Sequence, residues 1–539
     1  MKKMKLKSFG VMIDVSRNNV MSMDGWRRFL PILAKMGYDT VFLYAEDTYE
    51  VEGEPYFGYM RGRYSIEEMK ELDDLAYSFG IEMIPCIQTL AHLNTIFKWR
   101  KEFPMDAIGT LMVGDERTYE LIDNMFSTLS KCFRTKKLHV GMDEAYMLGR
   151  GKYLDKNGYE STASIMKKHL ERVVEIGDKY GYKLLMWSDM FFNDWTENKY
   201  NTGRAEIPEE YVKAVPESVI PVYWNYYSSD VKSYDDMFYN HRQLTKELWF
   251  AGGAWTWTGF IPDNGYSLQT MLPAFEACRQ NKVENIFITL WGDNGGECSK
   301  LSVLPTLFYL SELARGNSDE EKIKAKFKRA FGIGYDEYMY IDLPNKLFPC
   351  HTPQKHAYTP AKYMTFSDYF NGFPDYTVGE GGGKYYEETA AKLASVAKSS
   401  RKFGYIFDSA AKLSSLLAVK YELGVKTRAA YKAKDFAELT RLANEDYTEV
   451  IKRLRAFYRA FLKQWMAENK SIGFEVQEAR LGAMLLRTES CKKRLLDLVA
   501  GKISRIEELE AEILPFEAEE PGKSIYYNGF IQTYTANVM

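Results

Sequence analysis

GVMIDVSR (10–17), a helical stretch and then TVFLYAED (40–47) make one β–α–β unit, and the chain repeats it. Between the two runs, Trp26, Phe29, Leu30, Leu33 and Met36 form one apolar helical face that ends before Gly37. Six further β-rich runs follow: EMIPCIQT (82–89), KLHVGMDE (137–144), KLLMWSD (183–189), VIPVYWNY (219–226), ELWFAGGAWTW (247–257) and NIFITLWGD (285–293). Helical patterns separate them. In one, Ser65 and Glu68 make a capping box, Ile66, Met69, Leu72, Leu75 and Phe79 keep helical spacing, and Gly80 supplies the stop. Eight such units in under about 300 residues predict an α/β fold of the (β/α)8 TIM-barrel type.

Beyond about residue 310 the β-rich runs cease, and from about 384 helical patterns rich in Ala, Leu, Lys, Glu and Arg dominate. The expected division is therefore 1–310 as the barrel and 311–539 as a mostly α-helical C-terminal domain, with packing or homodimer formation as its expected role. FPCHTPQKHAYTP (348–360) and VGEGGGKYY (378–386) have the Pro and Gly density of connections. The second lacks the Lys-Ser/Thr of a phosphate-binding loop and reads as a flexible loop.

The chain has 539 residues, with 71 Lys plus Arg against 74 Asp plus Glu, so no charge excess points to a nucleic-acid partner. Six cysteines stand singly, without the spacing of a zinc cage or disulfide framework, so neither a metal nor a cofactor is expected. A reducing compartment fits that usage. The N-terminal run has no uninterrupted apolar core with a cleavage site, and no segment approaches about 18 consecutive apolar residues. The expectation is a cytoplasmic protein with no membrane partner. Aromatic residues make up 15% of the chain, which fits a large packed core, with some tryptophans left at strand ends to cover a flat ligand.

In a barrel of this type, ligands bind at the C-terminal ends of the strands. Those ends carry Arg17, Glu46 and Asp47, His92, Asp143 and Glu144, Trp187 and Asp189, Tyr223 through Tyr227, Trp255 and Trp257, and Trp291 and Asp293. Carboxylates, a guanidinium, an imidazole and indoles together suit a pyranose: acids move the proton, Arg grips hydroxyls, and indole faces cover the CH surface. Strand alternation places His139, Gly141 and Asp143 on one face and Glu144 on the other. Both acids reach one substrate only if the strand ends there and the chain curls over the rim. His139 itself lies deep enough to be a buried, hydrogen-bonded histidine rather than a metal ligand.

HVGMDEA (139–145) resembles the signature of the family 20 glycoside hydrolases, the β-N-acetylhexosaminidases, and other strand ends across about 9–300 resemble that family in order. The resemblance implies an exo-acting retaining hydrolase of terminal β-linked 2-acetamido sugars, in which the substrate's acetamido oxygen is the nucleophile. Asp143 would orient that group, and Glu144 would be the general acid and base, a double role that needs a pKa raised towards neutrality. By the same likeness Arg17 would bind the hydroxyls at carbons 3 and 4, and His92 matches the rim histidine. Trp187 would line the acetamido pocket, Trp291 would stack beneath the sugar, and Asp293 would contact distal hydroxyls. The tyrosine that bonds the acetamido oxygen maps to Tyr223, with Tyr226 and Tyr227 as alternatives. Trp257 either lines the pocket or fills the barrel mouth. The chain departs from the family in Asp293, where Glu is usual, and in Asn225, where an Asp near the primary hydroxyl is expected. Two other readings remain: a glycosidase using two separate acids from Glu46, Asp189 and Asp293, and a silent sugar-binding protein.

Overall fold

The computed structural model describes residues 3–193, 195–196, 199–347, 359–515 and 529–538. Eight parallel strands close in sequence order into a barrel. They are β1 (Ser8–Asp14), β2 (Thr40–Tyr44), β3 (Glu82–Cys86), β4 (Lys137–His139), β5 (Lys183–Trp187), β6 (Val219–Trp224), β7 (Trp249–Gly253) and β8 (Asn285–Leu290). Closure comes from β8 pairing with β1, Ser8 opposite Asn285 and Ile13 opposite Leu290. Each expected β-rich run contains a strand, and the strands stop short of the polar residues at the ends of the runs.

The helices between them are capped as the sequence requires. Helix α1 (Met23–Met36) starts at Ser22, whose hydroxyl accepts from the Gly25 N–H at 3.1 Å, and ends at Gly37 with φ 83°. Helix α2 (Ile66–Ser78) has both halves of the Ser65–Glu68 capping box. Helix α3 (Glu116–Cys132), α4 (Thr162–Tyr180) and α5 (Val231–His241) follow β3, β4 and β6. Their apolar faces are buried, as is that of α1.

The barrel interior is filled by alternate residues of the strands: Met12, Phe42, Ile84, Leu185, Val222 and Phe287 are all buried there. Phe42 and Phe287 stack across it at 4.3 Å. Continuing each alternation two residues upward reaches Asp14, Tyr44, Trp187 and Trp224, so the barrel's own period aims those side chains at its mouth.

The chain separates into two compact units. The first is 1–254, 267–291 and 306–318; the second is 255–266, 292–305 and 319–539. In the second, helices α6 (Gly382–Ser399), α7 (Gly404–Lys420), α8 (Tyr447–Glu468) and α9 (Glu475–Val499) pack consecutively along one another. The glycine run expected to be a flexible loop instead starts a helix. Gly381 adopts φ 81° as the cap of α6, and a Cβ at Gly382 would lie 2.1 Å from the Tyr421 ring. The expected connection 348–360, with Cys350, lies outside the described residues apart from Thr359 and Pro360. Among the described residues, no helix is long and apolar enough to cross a membrane.

Candidate active site

The strand β4 ends at His139, four residues before the paired acids, and the chain then leaves the sheet in a tight left-handed turn. Gly141, Met142 and Glu144 have φ 72°, 69° and 53°. Two of these are non-glycine residues, each costing about 1–2 kcal/mol in that region. The curl that both acids need therefore starts at Gly141, and the alternation expected over His139, Gly141 and Asp143 stops with the strand at His139. Glycine is obligatory at 141, because a Cβ there would meet Gln88 Oε1 at 2.2 Å and the Ile87 carbonyl at 2.6 Å. His139 is fully buried against the Trp187 ring at 4.4 Å, and its Nδ1 accepts from the Gly141 N–H at 3.2 Å. Burial pushes it down to about 3, so it is a neutral structural histidine.

The curl brings both acids to one imidazole. His92 Nε2 lies 3.3 Å from Asp143 Oδ2 and 3.7 Å from Glu144 Oε2. Asp143 is largely buried and Glu144 is exposed, with side-chain accessibilities of 14% and 43%. Burial pushes the Asp143 carboxyl up, but the charge of the adjacent His92 imidazole and the hydrogen bond from Gln88 outweigh it, leaving Asp143 below its usual value. Burial likewise pulls His92 down, yet Asp143 and Glu46 raise it to about 9. The ligand atoms of His92, Asp143 and Glu144 lie within 4.8 Å of one another. With an imidazolium at its centre, this cluster suits proton sharing rather than cation binding.

Neighbouring strand ends complete the polar rim. The Glu144 N–H donates to Asp189 Oδ2 at 2.9 Å. Burial, reinforced by the Asp143 charge, pushes Asp189 up to about 8. Arg17 pairs with Glu46 at 3.0 Å and lies 3.8 Å from Asp14. Burial holds Glu46 at about 7, with Arg17 pulling against it. The aromatic wall comes from the same end of the barrel. The Trp187 and Trp291 rings are 6.1 Å apart, Trp291 meets Tyr44 edge-on at 4.7 Å, and Trp224 stacks on Tyr226 at 5.4 Å. Trp187 Nε1 is buried with no hydrogen-bond partner among the described residues.

The sequence-expected residues divide into three groups. Arg17, His92, Asp143, Glu144, Trp187 and Trp291 all belong to the barrel unit and lie at the strand ends or in the loops following them. Tyr223 is turned away: β6 sends Ile220, Val222 and Trp224 inward, so Tyr223 packs outward on Phe238 and His241 of α5 at 5.5 and 4.8 Å. Its hydroxyl donates to Asn201 Oδ1. Tyr226, beyond the strand end, hydrogen-bonds Trp291 and feels the Asp143 charge. Asn225 is also fully buried, and its Oδ1 accepts from the Tyr227 and Ser228 N–H groups while its Nδ2 reaches Tyr223, Asn201 and Ser228. It fixes the turn that presents Tyr226. Trp257 and Asp293 belong to the second unit, where Trp257 stacks on Trp255 at 4.3 Å.

Gln88 and Trp224 were not singled out as site residues, and Glu46 and Asp189 only as candidates for a different pair of acids. Period-two alternation finds all four, since Glu46, Gln88 and Asp189 stand two residues beyond the inward Tyr44, Cys86 and Trp187, and Trp224 two beyond the inward Val222.

Two sequence matches say which family this closed barrel comes from. A model described as "Glycosyl hydrolase family 20, catalytic domain" matches residues 9–233, and one described as "Glycoside Hydrolase 20C C-terminal domain" matches 336–527. The chain belongs to glycoside hydrolase family 20. It is 25% identical to human Hexosaminidase D over 330 residues, covering 56% of this chain and 65% of the relative. To Hexosaminidase D of Bos taurus it is 27% identical over 209 residues, 36% of this chain and 56% of the relative. It thus spans less than two thirds of the length of either relative. Among solved structures, the GH20 exo-β-N-acetylglucosaminidase of Vibrio harveyi in complex with N-acetylglucosamine is similar at 14% identity, covering 60% of this chain and 57% of that one, with a TM-score of 0.47. The N-acetyl-β-hexosaminidase of Streptomyces plicatus in complex with Thio-NAglucal is similar at 17% identity, 63% and 70% coverage, and a TM-score of 0.45.

Proposed function

We propose that the chain is an exo-acting, retaining β-N-acetylhexosaminidase that removes terminal β-GlcNAc or β-GalNAc with the substrate's own acetamido oxygen as nucleophile. The observation that carries this reading is the convergence of two adjacent acids on one imidazole, at 3.3 and 3.7 Å. Acids joined by one peptide bond do not flank a scissile bond from opposite sides as a protein nucleophile and acid do, which favours a nucleophile supplied by the substrate.

In the first step the acetamido oxygen bonds to the anomeric carbon while the glycosidic C–O bond breaks, and Glu144 gives its proton to the leaving oxygen. Asp143, held below the usual carboxylate range, accepts from the acetamido N–H and offsets the positive charge of the resulting oxazolinium ion. In the second step Glu144 takes a proton from water, the water oxygen bonds to the anomeric carbon, and the ring C–O bond returns its electron pair to the acetamido oxygen. Retention follows from two displacements at one carbon. Arg17 binds the hydroxyls at carbons 3 and 4, and Trp187, Trp224 and Trp291 wall the acetamido methyl and the apolar sugar face. Tyr226, rather than Tyr223, is the hydroxyl assigned to the acetamido oxygen.

Aryl β-N-acetylglucosaminides and β-N-acetylgalactosaminides test the reading against plain aryl β-glucosides. Turnover confined to the 2-acetamido substrates, with anomeric retention by NMR, supports it. Equal turnover of plain glucosides would point instead to two separate acids drawn from Glu46, Asp189 and Asp293, and binding without turnover to a sugar receptor.

A further inference from the structure

Gln88 stands two residues past the end of β3, fully buried, and every hydrogen-bonding group of its amide is used. Nε2 donates to Asp143 Oδ1 at 2.7 Å and to the Tyr44 hydroxyl at 3.0 Å, while Oε1 accepts from the Met142 N–H at 3.1 Å. The Tyr44 hydroxyl in turn donates to Glu46 Oε1 at 3.2 Å. Only one orientation of the amide satisfies this set. Flipped, it would place an oxygen against a carboxylate and an N–H against the Met142 N–H.

We propose that Gln88 is a positioning residue for the family reaction: it clamps the left-handed turn at Met142 and holds Asp143 as an aimed acceptor for the acetamido N–H. The inference rests on the assignment of Asp143 above. A side-chain amide does not titrate in the working pH range, so its N–H faces Asp143 as a donor at every pH. A carboxyl in its place would do so only while protonated, because two carboxylates about 3 Å apart cannot both ionise freely.

Other titrating groups face Asp143 from each neighbouring strand. Tyr44 comes from β2, Cys86 and His92 from β3 and its loop, and His139 from β4, with Glu144 and Tyr146 beyond it. Asp189 follows β5 and Tyr226 follows β6. These are common to the wild type and a Gln88 variant, so the ratio of their rates isolates position 88.

The experiment is the pH profile of kcat for Gln88→Glu on an aryl β-N-acetylglucosaminide, divided by that of the wild type. While protonated, the introduced carboxyl keeps the donor to Asp143 and the acceptor for Met142, so near pH 4.5 the ratio is expected within about threefold of unity. As that carboxyl ionises, the ratio should fall about tenfold per pH unit to a floor about a hundredfold down. Gln88→Ala should lower kcat at all pH values with KM nearly unchanged. A ratio that stays flat with pH, at any height, overturns the proposal, as does a loss confined to KM. Failure of the wild type to cleave the substrate would sink the functional reading instead. The His92 imidazole then reads the same charge without turnover: its NMR titration midpoint should be higher in Gln88→Glu, and an unchanged midpoint overturns the inference.

Discussion

Replacing Gly141 by alanine puts two separable strains on the paired-acid turn. The first is conformational: at φ 72° an L-residue costs about 1–2 kcal/mol. The second is crowding, since the new methyl would lie 2.2 Å from Gln88 Oε1 and 2.6 Å from the Ile87 carbonyl. The carbonyl belongs to the backbone just past β3 and cannot swing aside, so overpacking adds about 1–3 kcal/mol. The total expected loss is about 2–5 kcal/mol, measured as the shift in urea unfolding followed by tryptophan fluorescence. Gly80 supplies the control, because it has the same φ of 72° with nothing within 4 Å of a built Cβ. Gly80→Ala should lose only the conformational part, about 1–2 kcal/mol, with full activity. Gly141→Ala should also lose about a hundredfold in kcat, since relief of the contact displaces Asp143 and Glu144 together. Equal stability losses in the two variants, or full turnover in Gly141→Ala, would refute the account of the turn.

Glu144→Gln should abolish nearly all turnover of aryl glycosides, and Asp143→Asn should cripple hydrolysis of 2-acetamido substrates; full activity of either variant removes its assigned role. Tyr226→Phe should lower kcat/KM about tenfold or more, whereas Tyr223→Phe should leave kinetics nearly intact and lower stability by about 1–2 kcal/mol through the lost hydrogen bonds to Asn201 and from Asn225. Asp189, raised to about 8 in the folded chain, binds a proton that the unfolded chain releases near its ordinary value of about 4. Its contribution to stability therefore falls as pH rises between about 4 and 8, by at most about 1.4 kcal/mol per unit. Asp189→Asn removes that slope, so the variant should gain on the wild type in thermal scans from pH 5 to pH 8, and parallel curves would contradict the assignment.

The barrel was legible because its signal is periodic. Eight short β-rich runs at βα spacing leave few architectures, and capping residues such as Ser65, Glu68 and Gly37 mark the helix ends independently. Side-chain direction was legible only where a strand keeps its period. Tyr223 fails on that ground: it is one residue out of phase with Val222 and Trp224, both on the inner face, so it points into the helix layer. The curl at Asp143–Glu144 was expected, but its left-handed course was not legible, for a different reason. Its left-handed residues Met142 and Glu144 are not glycines, and nothing in their identity announces positive φ. The glycine run at 381–383 misleads in the other direction, since small residues permit close approach to Tyr421 as readily as they permit flexibility.

The ionisation pattern at the barrel mouth follows from how the turn distributes its partners. Asp143 and Asp189 are both buried carboxyls on neighbouring strand ends, yet one is pulled down and the other pushed up to about 8. The difference lies in their donors. Asp143 receives a charged imidazole and an amide N–H, whereas Asp189 receives one backbone N–H and a long contact of 3.5 Å from the Trp224 indole. Environments that push two acids apart in this way assign them different charges at neutral pH. In the reaction proposed above, a cation developing at the sugar's acetamido group would meet a fixed negative charge at Asp143, while neutral Asp189 would hold the Glu144 backbone in place without adding a competing charge. Were both ionised, mutual repulsion would open the turn that brings Glu144 to the same substrate.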